Sequence, residues 1–170
     1  MGFVEVLIIS FGAIFLLVAL YILSIINRLS FHINRIDEKY YTIYENMLKT
    51  IKIEDNLYKN IKSENISKAN SLRQELIDNK DIKTQIPTTI ELINMINQDL
   101  KLAKNTKEKE EIKDKIKEIL ESIDYASEFY NKCVTDYDEY RKNKFVGIIS
   151  KIFKYKDYPY INKGKNENWA

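Results

Sequence analysis

The chain is poor in the residues that form turns, disulfides and metal sites. Its 170 residues include 4 Gly, 2 Pro, 1 Cys and 1 His. So few Gly and Pro argue against a sandwich or barrel of many short strands. A single Cys excludes an intramolecular disulfide framework, and a single His excludes the common zinc and di-iron ligand sets. We therefore expect no cofactor and no metal, and the composition leans away from an enzyme.

The chain also lacks an excess of charge of one sign, because its 27 Lys and Arg are nearly balanced by 25 Asp and Glu. Strong attraction to nucleic acid is not expected from a net charge of +2. The four glycines lie too far apart for a dinucleotide fingerprint or a phosphate loop. Cys133 falls on an inward stripe of a predicted helix and His32 near the predicted membrane surface, so neither is assigned chemistry. The sequence predicts no catalytic residue.

One long apolar run is present, at residues 6–26. It contains 21 residues without a charge, of which fifteen are Leu, Ile, Val or Phe. A helix of that length spans a hydrocarbon core of about 30 Å. A cleaved signal peptide is the alternative, but the only charged residue before the run is Glu5, and Ser24-Ile25-Ile26 is a poor cleavage site. The run predicts an uncleaved transmembrane anchor.

The charges beside this run predict its orientation. Arg28 and Arg35 follow it, whereas no Lys or Arg precedes it. The positive-inside rule then places the chain after residue 27 in the cytoplasm and the short amino-terminal stretch outside.

The next residues carry the periodicity of long packed helices. In a first helix over 28–62, the apolar positions alternate four and three apart up to Met47, and after a break in phase Ile51, Leu57 and Ile61 continue the face. A second helix is predicted over 67–79. Pro87 marks a break, after which Thr88 and Glu91 have capping-box spacing and predict the start of a third helix. The first stripe comprises Leu29, Ile33, Ile36, Tyr40, Ile43 and Met47.

A fourth helix, with Thr106 as a candidate cap, carries the clearest signal. Its apolar stripe alternates four and three apart over four heptads, which is typical of helices packed on helices. The fold class is therefore all-α, with one N-terminal transmembrane helix, an antiparallel four-helix bundle and a short amphipathic C-terminal helix. The stripe comprises Ile112, Ile116, Ile119, Ile123, Ala126, Tyr130, Cys133, Tyr137 and Tyr140.

The C-terminal segment combines one apolar helical face with many cations. In an antiparallel bundle the fourth helix returns to the end where the first began, so residues near 141–155 are expected at the bilayer surface. The face either caps the bundle or contacts the membrane surface, and the two roles are compatible. The predicted divisions are 1–27 (anchor), 28–144 (bundle), 145–157 (basic amphipathic segment) and 158–170 (flexible tail). The candidate contact residues are Arg141, Lys142, Lys144, Phe145, Ile148, Ile149, Lys151, Ile152, Phe153 and Lys154.

The fourth helix also carries a family resemblance. Tyr130-Asn131, followed by Val134 and Tyr137, is similar to the fourth-helix pattern of the LemA family of bacterial membrane-anchored helical proteins. Further similar positions are Asn34, Ile36 and Glu38, then Asn56-Leu57, Asp81-Ile82-Lys83, Ile123, Ala126, Ile148-Ile149, and Phe153 with Tyr155.

The chain also departs from the family pattern. Asp55 stands where the family has Pro, Lys144-Phe145 replace a Phe-Pro pair, and about 20 extra residues lie between Asp81 and the fourth helix. The resemblance implies a single N-terminal span in the bacterial inner membrane, an external amino terminus and a cytoplasmic bundle. It carries no catalytic residues across.

Together these observations predict a membrane-anchored, non-enzymatic helical protein that scaffolds or recruits others at the inner face of a bacterial membrane. Its expected partners are the lipid bilayer and other membrane or cytoplasmic proteins, not nucleic acid, and self-association stays open. The alternatives are a regulatory partner of a membrane enzyme such as a protease and, less favoured, an exported pilin-like subunit.

Overall fold

The computed structural model describes residues 2–161. Helix accounts for 86% of the described residues, and no strand occurs among them, which confirms the all-α fold class. A short 3₁₀ helix, Leu100–Leu102, follows α3. The five α-helices are α1 (Phe3–Asn60), α2 (Ile66–Asp78), α3 (Ile82–Asp99), α4 (Thr106–Arg141) and α5 (Lys144–Ile152).

The chain divides into two compact units, and α1 and α4 contribute to both. Unit 1 combines the beginning of α1, up to Ile36, with Cys133–Tyr158. Unit 2 combines Asp37–Lys132 with the described residues from Pro159 to Ile161.

In unit 1, α1 begins with a long apolar surface that nothing covers. The large apolar side chains between Phe3 and Leu23 are almost all exposed, whereas Ile25 and Leu29 are buried. At 1.5 Å per residue the exposed stretch is about 30 Å long, which matches the hydrocarbon thickness of a bilayer. This helix is long and apolar enough to cross a membrane, as the sequence predicts. Because Ile25 is buried, the exposed stretch ends shortly before the predicted limit of the run at residue 26.

In unit 2, the inward stripe of α1 continues without the predicted break in phase. After Met47 the buried positions are Thr50, Glu54 and Leu57, which keep the alternation of three and four. The stripe is therefore continuous, but two of its members are polar, and an apolar pattern search does not detect them. Burial raises the pKa of Glu54, and the Arg73 guanidinium, 3.5 Å away, opposes this shift.

A buried carboxylate connects the end of α1 and the residues that follow it to the end of α3. Asp99 accepts hydrogen bonds from the Tyr58 hydroxyl (2.7 Å), the Ser63 hydroxyl (2.7 Å) and the Asn65 side-chain amide (2.9 Å). Its side chain is almost fully enclosed. Because a buried charge is tolerated only when it is well hydrogen-bonded, these three donors and Asp99 require one another.

The predicted start of the third helix is wrong. Helix α3 begins at Ile82, with Asp81 as its N-cap accepting from the Lys83 amide (3.1 Å), and Pro87 lies inside it. Proline removes one intrahelical hydrogen bond, but Pro87 and Lys83 are both exposed, so water can bind the freed carbonyl. The two threonines after Pro87 are buried within the helix instead of capping it.

Helix α4 confirms the stripe predicted for it. Eight of its nine predicted members are buried and the last, Tyr140, is half-buried. The cap differs by one residue, because the Asn105 side chain, not that of Thr106, accepts from the amides of Lys107 and Glu108. Cys133 is buried, as expected.

The described chain ends in a segment without regular secondary structure, whose last residues belong to unit 2. The Asn131 side chain donates to the Ile161 carbonyl and accepts from the Ile161 amide, both at 2.8 Å. Ile161 is buried and lines a small cavity with Ile82 and Pro87. The predicted tail starts at residue 158, whereas the structure packs the chain as far as Ile161. The rest of that predicted tail, 162–170, lies outside the described residues.

Candidate membrane-contact surface

Helix α5 follows α4 after a two-residue turn and lies close to its end. The Asn143 side chain caps it by accepting from the amides of Phe145 (3.1 Å) and Val146 (3.5 Å). A Cβ atom at Gly147 would lie 3.1 Å from the Arg141 carbonyl oxygen, which is tighter than ordinary packing. Glycine at this position therefore allows the close approach of α5 to the last turn of α4.

Only one side of α5 packs on protein. Val146, Ile149 and Ser150 are buried. Ile149, which the sequence assigns to the same apolar face as its neighbours, is buried, so at this position the face packs on protein, one of the two roles predicted for it. Four large apolar side chains on α5 and at its C-cap are each more than half exposed. We call them the α5 apolar face: Phe145, Ile148, Ile152 and Phe153.

Helix α5 ends in a left-handed residue. Lys154 has a φ of 54°, and the next amide, of Tyr155, donates to the Ser150 carbonyl at 2.9 Å. This is a common way to end a helix, although glycine normally occupies the left-handed position. The sharp reversal leaves Phe153 exposed beside the last turn of α5.

The cations predicted to flank this face fall into two groups. Arg141 is held by an ion pair with Asp157, and its guanidinium lies 5.0 Å from the Tyr137 ring centre. It therefore stabilises the α4 end and is not a free surface charge, which corrects its predicted role. The others are exposed and form no ion pair within the described chain. We call them the α5 lysines: Lys142, Lys144, Lys151 and Lys154.

Contacts within unit 1 place the end of α4 beside the turn of α1 that follows the apolar run. The Arg28 guanidinium lies 5.0 Å from the ring centre of Tyr140, and the His32 ring lies 5.5 Å from it. Burial raises the pKa of Tyr140, Arg28 opposes the shift, and Tyr21 contributes electrostatically to it. The chain that leads into α5 thus contacts α1 at Arg28 and His32.

His32 has an environment that disfavours its charged form. Burial lowers its pKa, the nearby Asp136 opposes this, and Arg28 and Arg35 lower the pKa further. Its Nδ1 atom is buried and has no hydrogen-bond partner in the described chain. Because the unfolded state binds a proton more readily than the folded state, folding stability falls as the pH drops below about 6.5.

We expect acidification to open unit 1, and a His32→Gln variant to resist it. The buried Cys133 in the same unit is the only thiol, so its labelling rate in lipid nanodiscs reports opening. The ratio of wild-type to His32→Gln labelling rates should rise from pH 7.5 to pH 5.5, since the direct effect of pH on the thiol cancels in this ratio. A constant ratio would contradict the assignment.

Two exposed aromatic pairs lie in unit 2. Tyr125 packs against Phe129 with ring centres 4.5 Å apart, and Tyr41 lies 6.3 Å from Tyr44. Tyr41 and Tyr125 each expose about three fifths of their surface. A separate groove of about 520 Å³ includes Lys49, Lys52, Lys115 and Glu118 among the residues that line it. No group of His, Cys, Asp or Glu suited to hold a metal ion occurs among the described residues.

Sequence reasoning missed the residues that position α5. Asn143 has the identity and spacing of an N-cap, so this signal could have been found. The role of Gly147 depends on the path of α4 and left no local pattern. The same is true of the Tyr137 hydroxyl, which donates to the Lys156 carbonyl at 3.0 Å.

Comparison with known proteins finds no matching family model, no matching curated protein and no matching solved structure. Three positions of the proposed LemA pattern, Tyr130, Val134 and Tyr137, are buried in α4. A fourth, Asn131, holds the Ile161 backbone. These four positions stabilise the fold, and membership of the family stays a prediction.

Proposed function

We propose that this protein is a single-pass, non-enzymatic membrane protein related to the LemA family, which holds an antiparallel four-helix bundle at the inner face of a bacterial membrane. There it recruits or scaffolds other proteins. The observation that carries the proposal is the uncovered apolar stretch of about 30 Å, continuous in one helix with a packed helical domain.

Contacts between α1 and α4 within unit 2 support the bundle. The Asn46 side chain donates to the Ser122 hydroxyl at 2.8 Å. Nearer the start of the unit 2 portion of α1, Asp37 interacts electrostatically with Tyr130. Higher residue numbers in α1 pair with lower residue numbers in α4, which is the order of an antiparallel pair.

Contacts between α1 and α3 support it further. The Tyr40 hydroxyl lies 3.4 Å from the Gln85 side-chain oxygen, and the Tyr58 hydroxyl donates to Asp99. The residue numbers of the paired positions increase together in the two helices, so these contacts favour a parallel arrangement of α1 and α3 within unit 2. Helix α2 connects them and must run in the opposite direction, which is the up-down-up-down order of a simple bundle.

The cations near the anchor support the proposed orientation. Arg28 and Arg35 closely follow the apolar stretch, whereas residues before the run contain no Lys or Arg. A cationic excess next to a span favours retention of that side in the cytoplasm.

The exposed aromatic pairs support a role in protein recruitment. Tyrosine is enriched at protein interfaces because it adds a large contact area and a polar tip at a low entropic cost. Tyr125 and Tyr41 each expose an aromatic ring that packs against a second aromatic ring. We expect a cytoplasmic or membrane protein to cover at least one of them.

Site-specific photo-crosslinking in native membranes tests this function. A photoreactive phenylalanine analogue replaces Tyr125 in the full chain, and the same analogue replaces the exposed Lys113 of α4 as the matched control. We expect discrete adducts with cytoplasmic or inner-membrane proteins from position 125, and their loss on adding Phe129→Lys. The same adducts from position 113, or adducts with external proteins only, would contradict the proposal.

A further inference from the structure

Building on the proposed membrane anchoring, we propose that the α5 apolar face inserts into the anionic leaflet beside the anchor, with the α5 lysines at the lipid phosphates. The protein would then contact the bilayer twice, once through α1 and once through α5. The second contact lies on a separate helix and does not span the membrane.

The first argument is the unsatisfied apolar surface. Two phenylalanines and two isoleucines on α5 and at its C-cap are more than half exposed, while the opposite side of the helix is packed on protein. A one-sided helix of this kind, rich in aromatic and aliphatic groups and flanked by lysines, is typical of helices that lie in the membrane interface.

The second argument is charge. Residues 141–161 contain six Lys and Arg but a single acidic residue, Asp157, which is already paired with Arg141. An anionic leaflet complements this surface. A second copy of the chain does not, because it would bring two cationic patches together.

The third argument is position. Tyr140 contacts Arg28 and His32, and α5 begins four residues later at Lys144. Arg28 lies only five residues after Leu23, where the exposed apolar stretch of α1 ends. The α5 helix therefore starts beside the turn of α1 that leaves the bilayer, where lipid headgroups are the nearest abundant partner.

Tryptophan quenching by brominated lipids tests this contact in the full chain. Every variant carries Trp169→Phe, which removes the only native tryptophan. The test variant is Phe145→Trp, the positive control within the anchor is Leu17→Trp, and the negative control on α4 is Tyr125→Trp. All three positions are exposed to similar extents. The vesicles contain phosphatidylcholine and about a quarter phosphatidylglycerol, with brominated acyl chains.

We expect strong quenching in Leu17→Trp and Phe145→Trp and little in Tyr125→Trp. Adding Lys144→Gln and Lys151→Gln to Phe145→Trp should reduce the ratio of docked to undocked protein, by roughly fivefold for each lysine removed. Vesicles of phosphatidylcholine alone should weaken the quenching in the same direction.

The outcomes separate the two proposals. Quenching of Leu17→Trp without quenching of Phe145→Trp overturns the α5 contact and leaves the anchor intact; an acidic protein or a second copy would then be the occupant. Equal quenching of Phe145→Trp in neutral and anionic vesicles overturns the role of the anionic lipid. Absence of quenching in Leu17→Trp overturns the anchoring itself.

Discussion

Replacing Asp99 with alanine is expected to lower the free energy of unfolding by about 3–5 kcal/mol, the range for removing one partner of a buried charged cluster. Three donors, from Tyr58, Ser63 and Asn65, lose their acceptor at once. Each hydrogen bond to a charged group contributes about 1.5–3 kcal/mol, but the three share one acceptor and are not additive. Urea denaturation of the full chain in nanodiscs, followed by far-UV circular dichroism, measures the loss.

Glu91 provides the matched control, because it is a carboxylate on the same helix, α3, that is paired with Lys68 at 2.7 Å but exposed. Glu91→Ala should cost less than about 1 kcal/mol, as exposed ion pairs do. Asp99→Asn keeps one acceptor oxygen and should fall between the two. Equal losses for Asp99→Ala and Glu91→Ala would show that the cluster does not stabilise unit 2.

Introducing two lysines by substitution in the middle of the apolar stretch is expected to release the protein from the membrane. The run favours insertion by roughly 5 kcal/mol, and each central lysine opposes it by about 2.5–3.5 kcal/mol. Ile14→Lys with Leu17→Lys therefore cancels the gain. Both residues are exposed in the structure, so the folded domain should tolerate the change. Fractionation of cells into membrane and soluble material measures the result.

The control is Tyr41→Lys with Tyr125→Lys, which adds the same two charges at exposed positions of unit 2. This variant should stay in the membrane fraction. Retention of Ile14→Lys with Leu17→Lys in salt- and carbonate-washed membranes would contradict a single span in α1. Circular dichroism of the released protein should show strong helicity, because the packing of unit 2 does not include the span.

The long helices could be predicted from the sequence because their signals are periodic. The stripe of α4 keeps one alternation over four heptads, so burial follows directly from spacing. The stripe of α1 was harder to follow, since Thr50 and Glu54 occupy inward positions and Glu54 depends on Arg73 in another helix. No local pattern identifies a polar residue as buried when its partner lies elsewhere in the chain.

Short-range signals were less reliable where tertiary packing overrides them. Thr88 and Glu91 have the spacing of a capping box, but Asp81 caps the helix instead, because α3 buries Ile82 and Ile86 before Pro87. In α5 the apolar stripe is wider than the surface available to cover it, so Ile149 is buried and its neighbours are not. Which side of a short helix packs depends on the element beneath it, and the sequence does not encode this locally.

The hold of Asn131 on Ile161 has a consequence for proteolysis. Proteases bind their substrates as extended chains and pair with the backbone amide and carbonyl groups. At Ile161 a single side-chain amide occupies both backbone groups, as a neighbouring strand would. In a chain built of helices, one asparagine thus protects this stretch from proteases. Cleavage there would first require both hydrogen bonds of the Asn131 side chain to break.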